Sequence, residues 1–217
     1  MPDPQSAFWP AGLPRHLTVP RTNLFYNLEV AARRYPDKPL AIFYDTPLSY
    51  ADFLHQVETL AGHLEIVCGV KPGDRVLLYL QNSPQFMLAY YAILRANAVV
   101  VPVNPMNLAE ELRHYVVDTG AATIVTAQDL MPQVRPLMTH GLRHVLVAAY
   151  ADYLTVPTDL PVPEAIAAPR EQITGEGVVL WSTMLAGAHR PGAITAGADD
   201  LAVMPYTSGT TGHPKGC

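Results

Sequence analysis

Apolar positions along this chain follow two patterns that take turns: stripes recurring about every 3.6 residues, and short unbroken runs. After Thr22, Leu24, Leu28, Ala31 and Tyr35 fall on one helical face, Glu29 and Arg33 form an i,i+4 pair on the wet side, and Pro36 ends the helix. Leu40–Tyr44 and Leu48–Tyr50, on either side of Asp45-Thr46-Pro47, predict two strands around a turn. Ser49 is placed to cap a helix to about Leu64, with Asp52 as its reciprocal partner and Phe53, Val57, Leu60 and Leu64 as its core stripe. Pro72-Gly73-Asp74 is a turn, and Arg75–Leu80 is the near-continuous apolar strand expected where both faces are covered. Asn82 or Ser83 caps the next helix, with Pro84 in its first turn and Phe86, Met87, Tyr90, Tyr91 and Leu94 along it. Ala98–Val103 is a second strand.

The unit then repeats. Asn107, with Glu110 in the reciprocal position, opens a helix that turns Leu112, Tyr115 and Val116 to the core. Ala122–Thr126 is a strand, Leu130–Met138 a short helix and Val145–Ala149 another strand. This alternation predicts an α/β fold: an open, mostly parallel, doubly wound sheet with helices on both faces. Such a fold assigns no function by itself. Residues 1–21 are proline-rich and without period, which predicts an extended arm. Residues 22–217 form one incomplete domain, and prolines at 157, 161, 163, 169 and 191 make 151–197 a surface excursion. Within it Val178–Leu185 alone reads as ordered; a linker between domains is the alternative. Asp199-Asp200 then returns the chain to the sheet at Leu201.

Composition narrows the class. Of 217 residues 49% are hydrophobic and 15% charged, which marks a globular chain. A net charge of −5, with Lys and Arg spread along the chain, argues against a nucleic-acid surface. No apolar run reaches the ~20 residues of a membrane span, and Met-Pro-Asp-Pro-Gln does not open a signal peptide. Cys68 and Cys217 are too far apart to suggest a redox or zinc motif, so a reduced, cytoplasmic setting is expected. His140 and His144 stand i,i+4, yet Gly141 and the lack of a third ligand favour surface histidines over a metal site. Cys68 and the aromatics Phe86, Tyr90 and Tyr91 are expected to pack in the core.

The chemistry concentrates in Tyr206–Gly216, which follows the apolar run Leu201–Met204. It packs four hydroxyl side chains (Thr207, Ser208, Thr210, Thr211), Gly209, Gly212 and Gly216, and Lys215 into one loop. Glycines let backbone N–H groups approach an anion, hydroxyls add donors and the lysine adds charge, an inventory suited to polyphosphate. The spacing is not that of the Walker loop, because its second glycine would fall on Pro214 or Cys217. His213, inside the loop, is expected to face solvent.

Every position from Thr207 to Gly216 resembles the phosphate-binding signature of the adenylate-forming ligases: acyl-CoA synthetases, aryl-CoA ligases, luciferases and peptide-synthetase adenylation domains. Gln81–Phe86 and Arg95–Pro105 resemble the corresponding block of fatty-acyl-CoA synthetases. Asn97 stands where relatives usually have glycine, and asparagine tolerates the left-handed backbone such a turn needs. The resemblance implies a two-step reaction of ATP, a small-molecule carboxylic acid and coenzyme A, assisted by Mg2+. It assigns Thr207, Ser208, Gly209, Thr210, Thr211, Gly212 and Lys215 to the β- and γ-phosphates. In relatives the adenine pocket, a magnesium-binding glutamate, a ribose-binding aspartate and a catalytic lysine lie downstream of this loop. The chain is therefore expected to be an N-terminal fragment, inactive alone, with no catalytic residue of its own. Surface exposed by the missing part is expected to let it self-associate. The Asn82 and Asn104 block favours a fatty acyl-CoA ligase; an aryl-CoA ligase, a peptide-synthetase domain or a non-catalytic nucleotide-binding module are the alternatives.

Overall fold

Val76 and Leu78 are buried in one cluster of apolar side chains and Leu77 and Tyr79 in another, so the strand they share is covered on both faces. That strand lies at the heart of a computed structural model describing residues 8–10, 12–16, 18–207 and 214–217. In chain order, helix α1 is Phe25–Arg34, strands β1 (Pro39–Phe43) and β2 (Thr46–Ser49) pair antiparallel, and α2 is Tyr50–Ile66. Then come β3 (Arg75–Tyr79), α3 (Pro84–Arg95), β4 (Val99–Pro102), α4 (Ala109–Thr119), β5 (Thr123–Ala127) and α5 (Met131–Val134). They are followed by β6 (His144–Ala148), α6 (Glu164–Ala167), β7 (Val178–Leu180) and α7 (Trp181–Ala186). Strands β4-β3-β5-β6-β7 form one parallel sheet in that order. Side chains of α1, α2, α3 and α7 share a core with one face, and those of α4 and α5 with the other. This is the doubly wound α/β sheet expected.

Local chemistry sets most of the boundaries. Ser49 Oγ accepts from the Asp52 N–H (3.1 Å) and donates to Asp52 Oδ2 (2.7 Å), opening α2 as a reciprocal cap. Ser83 Oγ does the same for the Phe86 N–H (3.2 Å), ahead of Pro84. A cap of this kind stabilises a helix by about 1 kcal/mol. The expected stripe of α2 is buried throughout, as is Cys68, whose thiol burial pushes up to about 12. Phe86, Tyr90 and Tyr91 are partly buried and pack against the core.

Several expectations are off in phase. In α1 the buried residues are Phe25, Leu28 and Ala32, while Leu24 and Tyr35 are exposed. Both stripes have helical spacing, and the choice falls to Phe25, fully buried with the Arg95 guanidinium 5.6 Å from its ring. The β1–β2 turn is Tyr44-Asp45, both at positive φ (45° and 64°), so Thr46 and Pro47 belong to β2. The cap of α4 is one residue later than Asn107 and Glu110: the Leu108 N–H donates to Glu111 Oε2 (2.8 Å), and Glu110 pairs with Arg113. The helix expected over Leu130–Met138 is α between 131 and 134 only, flanked by 3-10 turns at Gln128–Leu130 and Arg135–His140. Pro132 and Pro136 break its ladder of N–H donors.

The 151–197 segment is fastened along much of its length. It supplies β7, an edge strand of the sheet, and α7, whose fully buried Trp181 donates through Nε1 to the Tyr153 hydroxyl (3.1 Å). Tyr153 in turn donates to Gln56 of α2. Asn97 adopts φ 59°, the left-handed turn anticipated for it, and its side chain pins the far end of the segment. Its Oδ1 accepts from the Thr195 and Ala196 N–H groups (2.7 and 3.0 Å), and its Nδ2 donates to Ala193 O (3.1 Å). Asn97→Gly should keep the turn but lose these bonds, at about 1 kcal/mol. Asn97→Ala should lose about 1 kcal/mol more, from the strain of a left-handed Cβ. Urea midpoints in the order Asn, Gly, Ala would bear this out; Ala equal to Asn would refute it.

Candidate phosphate-binding site

Beyond β4 the sheet gains a last, partial neighbour. The Val100 N–H donates to Ala202 O (3.0 Å) and the Met204 N–H to Val100 O (2.8 Å), so the 201–204 run lies parallel to β4, bridged at Val203. Because it runs parallel, the chain that follows emerges past the carboxyl ends of the strands. There Tyr206–Thr207 (β8) and Lys215–Gly216 (β9) pair antiparallel, with Tyr206 opposite Gly216 and Thr207 opposite Lys215. Directly opposed residues of an antiparallel pair project to the same face. Thr207 and Lys215 are therefore cross-strand neighbours on one face of the stem, both exposed, and the Thr207 hydroxyl lies 3.5 Å from Cys217 Sγ. Ser208, Gly209, Thr210, Thr211, Gly212 and His213 lie outside the described residues.

The stem closes tightly at Gly216. A Cβ there would meet Met204 Sδ at 3.1 Å, Met204 Cγ at 3.2 Å and the Tyr206 ring at 3.3 Å. The Cys217 N–H donates to Pro205 O (2.9 Å), extending the ladder by one bond. On its other side the stem rests on α4. The Tyr206 ring lies 4.5 Å from that of Tyr115, its hydroxyl donates to the Asp118 carboxylate, and His114 Nε2 sits 2.8 Å from Pro214 O. Burial, reinforced by the hydrogen bond to Asp118, pushes the Tyr206 phenol above its ordinary range, so it remains a donor. Tyr115 connects inward: its hydroxyl accepts from Asn107 Nδ2 (3.2 Å), and Asn107 O accepts from Tyr79 of β3 (2.6 Å). A chain of contacts thus joins the central strand to the loop's stem.

Between α4, the 104–107 turn and the stem opens a cavity of about 760 Å3, lined by Asn104, Asn107, Glu111, His114, Tyr206 and Pro214. A larger one, of about 840 Å3, is lined by Asn23, Gly73, Arg75, Asn97 and Asp200, at the amino ends of β3 and β4. Open parallel sheets bind ligands beyond the carboxyl ends, near the point where strand order reverses. Here the order reverses at β3, with β4 on one side and β5 on the other, which favours the smaller cavity.

Tyr206 opens the stretch marked by sequence, but its partner Asp118 and the His114 that meets Pro214 carry no sequence signal, since 88 or more residues separate the partners. His140 and His144 do not share a helical face: His140 ends a 3-10 turn and bonds Pro136 O (3.1 Å), Gly141 breaks at φ 117°, and His144 begins β6. Among the described residues no group of three or more His, Cys, Asp or Glu is arranged to hold a metal ion.

The AMP-binding enzyme family matches residues 28–217. A long-chain-fatty-acid–CoA ligase of Bacillus subtilis is 30% identical over 219 residues, covering 98% of this chain and 39% of the relative. A salicyl-AMP ligase / salicyl-S-ArCP synthetase of Mycobacterium tuberculosis is 39% identical over 132 residues, 55% of this chain and 23% of the relative. Among solved structures, an anthranilate CoA ligase in complex with anthranoyl-AMP superposes with a TM-score of 0.73 at 20% identity, over 91% of this chain and 35% of that one, a likeness of fold. The chain thus spans roughly two fifths or less of each of these relatives. With a family match running from α1 through the hairpin stem, on the parallel sheet just described, this chain belongs to the AMP-binding enzyme family.

Proposed function

We propose that this chain forms the phosphate-binding part of an ATP-dependent carboxylate–CoA ligase acting on a fatty or related acid. In the first step a carboxylate oxygen bonds to the α-phosphorus of ATP while the bond to the β-phosphate bridge breaks, giving acyl-AMP and pyrophosphate. In the second, the thiol of coenzyme A loses its proton and its sulfur bonds to the acyl carbon, releasing AMP. The observation that supports the reading is the register of the stem, in which Thr207 and Lys215 are opposed across the ladder, both exposed, past the carboxyl ends of the strands. Lys215, Thr207 and the loop residues Ser208, Gly209, Thr210, Thr211 and Gly212 would cradle the β- and γ-phosphates. Leaving-group stabilisation of this kind acts by positioning and by neutralising charge as it develops. Magnesium belongs to the same proposal, and the described residues offer no group of three or more His, Cys, Asp or Glu to seat it.

The salicyl-AMP ligase relative, more identical over a shorter span, favours an aryl acid as the second reading. ATP–pyrophosphate exchange, run with fatty and aryl acids on this chain and on any longer product of its gene, separates the two. Acid-dependent exchange in the longer product with none in the isolated chain is the expected result. ATP bound without exchange anywhere would point to a non-catalytic nucleotide module.

Among the described residues no helix is long and apolar enough to cross a membrane, and a cytoplasmic location is part of the same reading. Met106, Leu108, Val117 and Leu201 are more than half exposed, and self-association through such apolar surface is expected. Static light scattering should show mass rising with concentration; a constant monomer mass would refute it.

A further inference from the structure

We propose that helix α4 is a positioning element for the hairpin, with Asp118 and His114 holding the two arms of the loop. This rests on the phosphate-binding reading above and adds to it the device that sets where Lys215 stands. Tyr206, on the arm that enters the loop, donates to Asp118; Pro214, on the arm that leaves it, meets His114 Nε2 at 2.8 Å. A carbonyl oxygen only accepts, so Nε2 carries the proton in that contact. His114 and Asp118 are four residues apart on α4 and so share one face of the helix. The two bonds therefore bracket 208–213, one on each side.

A stem of two ladder pairs is marginal by itself in water, so its placement must come from what it rests on. The support is firm. Leu112 and Val116 of α4 are buried, and Arg75 of β3 donates through Nε to Thr119 O (2.7 Å) at the helix's carboxyl end. The Tyr206 ring packs on the same helix, tilted against Tyr115 with centroids 4.5 Å apart and edge-on to His114 at 6.1 Å.

The test uses hydrogen–deuterium exchange of the stem peptides in the full chain, with the global melting temperature as control. Tyr206→Phe removes one oxygen and keeps the ring; Asp118→Ala and His114→Ala remove the acceptor and the donor. Each should speed exchange at the stem by about tenfold while the melting temperature moves little. Tyr206→Phe with Asp118→Ala should be no worse than either alone, because both break one bond, whereas His114→Ala should add to them. ATP affinity, read by titration, should weaken about tenfold in step with stem exchange. Unchanged stem exchange overturns the proposal, as does looser exchange with unaltered ATP affinity. A wild-type chain that never binds ATP counts against the functional reading instead, and the exchange pattern still decides whether α4 holds the stem.

Discussion

Gly177→Ala is expected to destabilise the fold by about 3 kcal/mol and to loosen β7 from the sheet. Gly177 has φ +70°, and a Cβ there would stand 1.9 Å from the carbonyl oxygen of Arg143. Two costs combine: about 1–2 kcal/mol for a left-handed Cβ, and about 1–3 kcal/mol for forcing atoms into filled space. The second is hard to relieve, because the obstacle is backbone and cannot swing aside as a side chain can. Arg143 is held by its own N–H bond to Ala122 O (2.8 Å), and Gly177 O accepts from the Val145 N–H (2.8 Å) to begin the β6–β7 ladder. Pushing the two chains apart would cost that first bond and, at the far end of β7, the seat of Trp181. Trp181 is buried and Trp9 is partly exposed at 43%, so a Trp9→Phe background lets fluorescence report α7 alone. A lower urea midpoint with a red-shifted Trp181 emission at modest denaturant is the expected result. A midpoint equal to that of the parent would mean the close approach is not present in solution.

The position of Gly177 illustrates what was and was not legible beforehand. Val76–Tyr79 and Val145–Ala148 announce themselves, since only strands buried on both faces carry such unbroken apolar runs. Ser49 with Asp52 and Ser83 with Pro84 state their caps in sequence, because a cap is a contact between residues three apart. Val178–Leu185 reads as ordered and is so, but Val178–Leu180 is too short to declare itself a strand, and its place at the sheet edge comes with Gly177 fitting under Arg143, a contact across 34 residues of chain by the numbering. The phase of α1 fails for a similar reason: two stripes were available, and the buried one was chosen by α3 through Arg95. At the candidate site the inventory of hydroxyls, glycines and lysine was readable as a local motif. The supports were not, because Tyr206 and Asp118, or His114 and Pro214, become neighbours only when 201–204 aligns with β4 and lays the stem along α4.

Made in a longer product of the gene that carries out the exchange, Lys215→Ala is expected to lower acid-dependent ATP–pyrophosphate exchange by about 100-fold, the usual consequence of losing one fixed donor to developing negative charge. Pyrophosphate leaves with more charge on its terminal oxygens than it carried within ATP, so a cation beside it favours the transition state over the ground state. The fall should therefore appear chiefly in kcat, with a smaller rise in KM for ATP. Lys215→Arg should recover part of the loss, since charge is kept while a compact ammonium is replaced by a planar fork. Thr207→Val, which removes the neighbouring hydroxyl across the ladder and keeps its shape, should cost about tenfold, in line with one neutral hydrogen bond. Raising ionic strength should blunt the difference between Lys215 and Ala, because the ammonium is exposed and its field is screened within about 10 Å at 0.1 M salt. If Lys215→Ala left exchange untouched, the phosphates would have to be held by the loop's hydroxyls and N–H groups without it. The pairing of Lys215 with Thr207 would then be a feature of the stem alone.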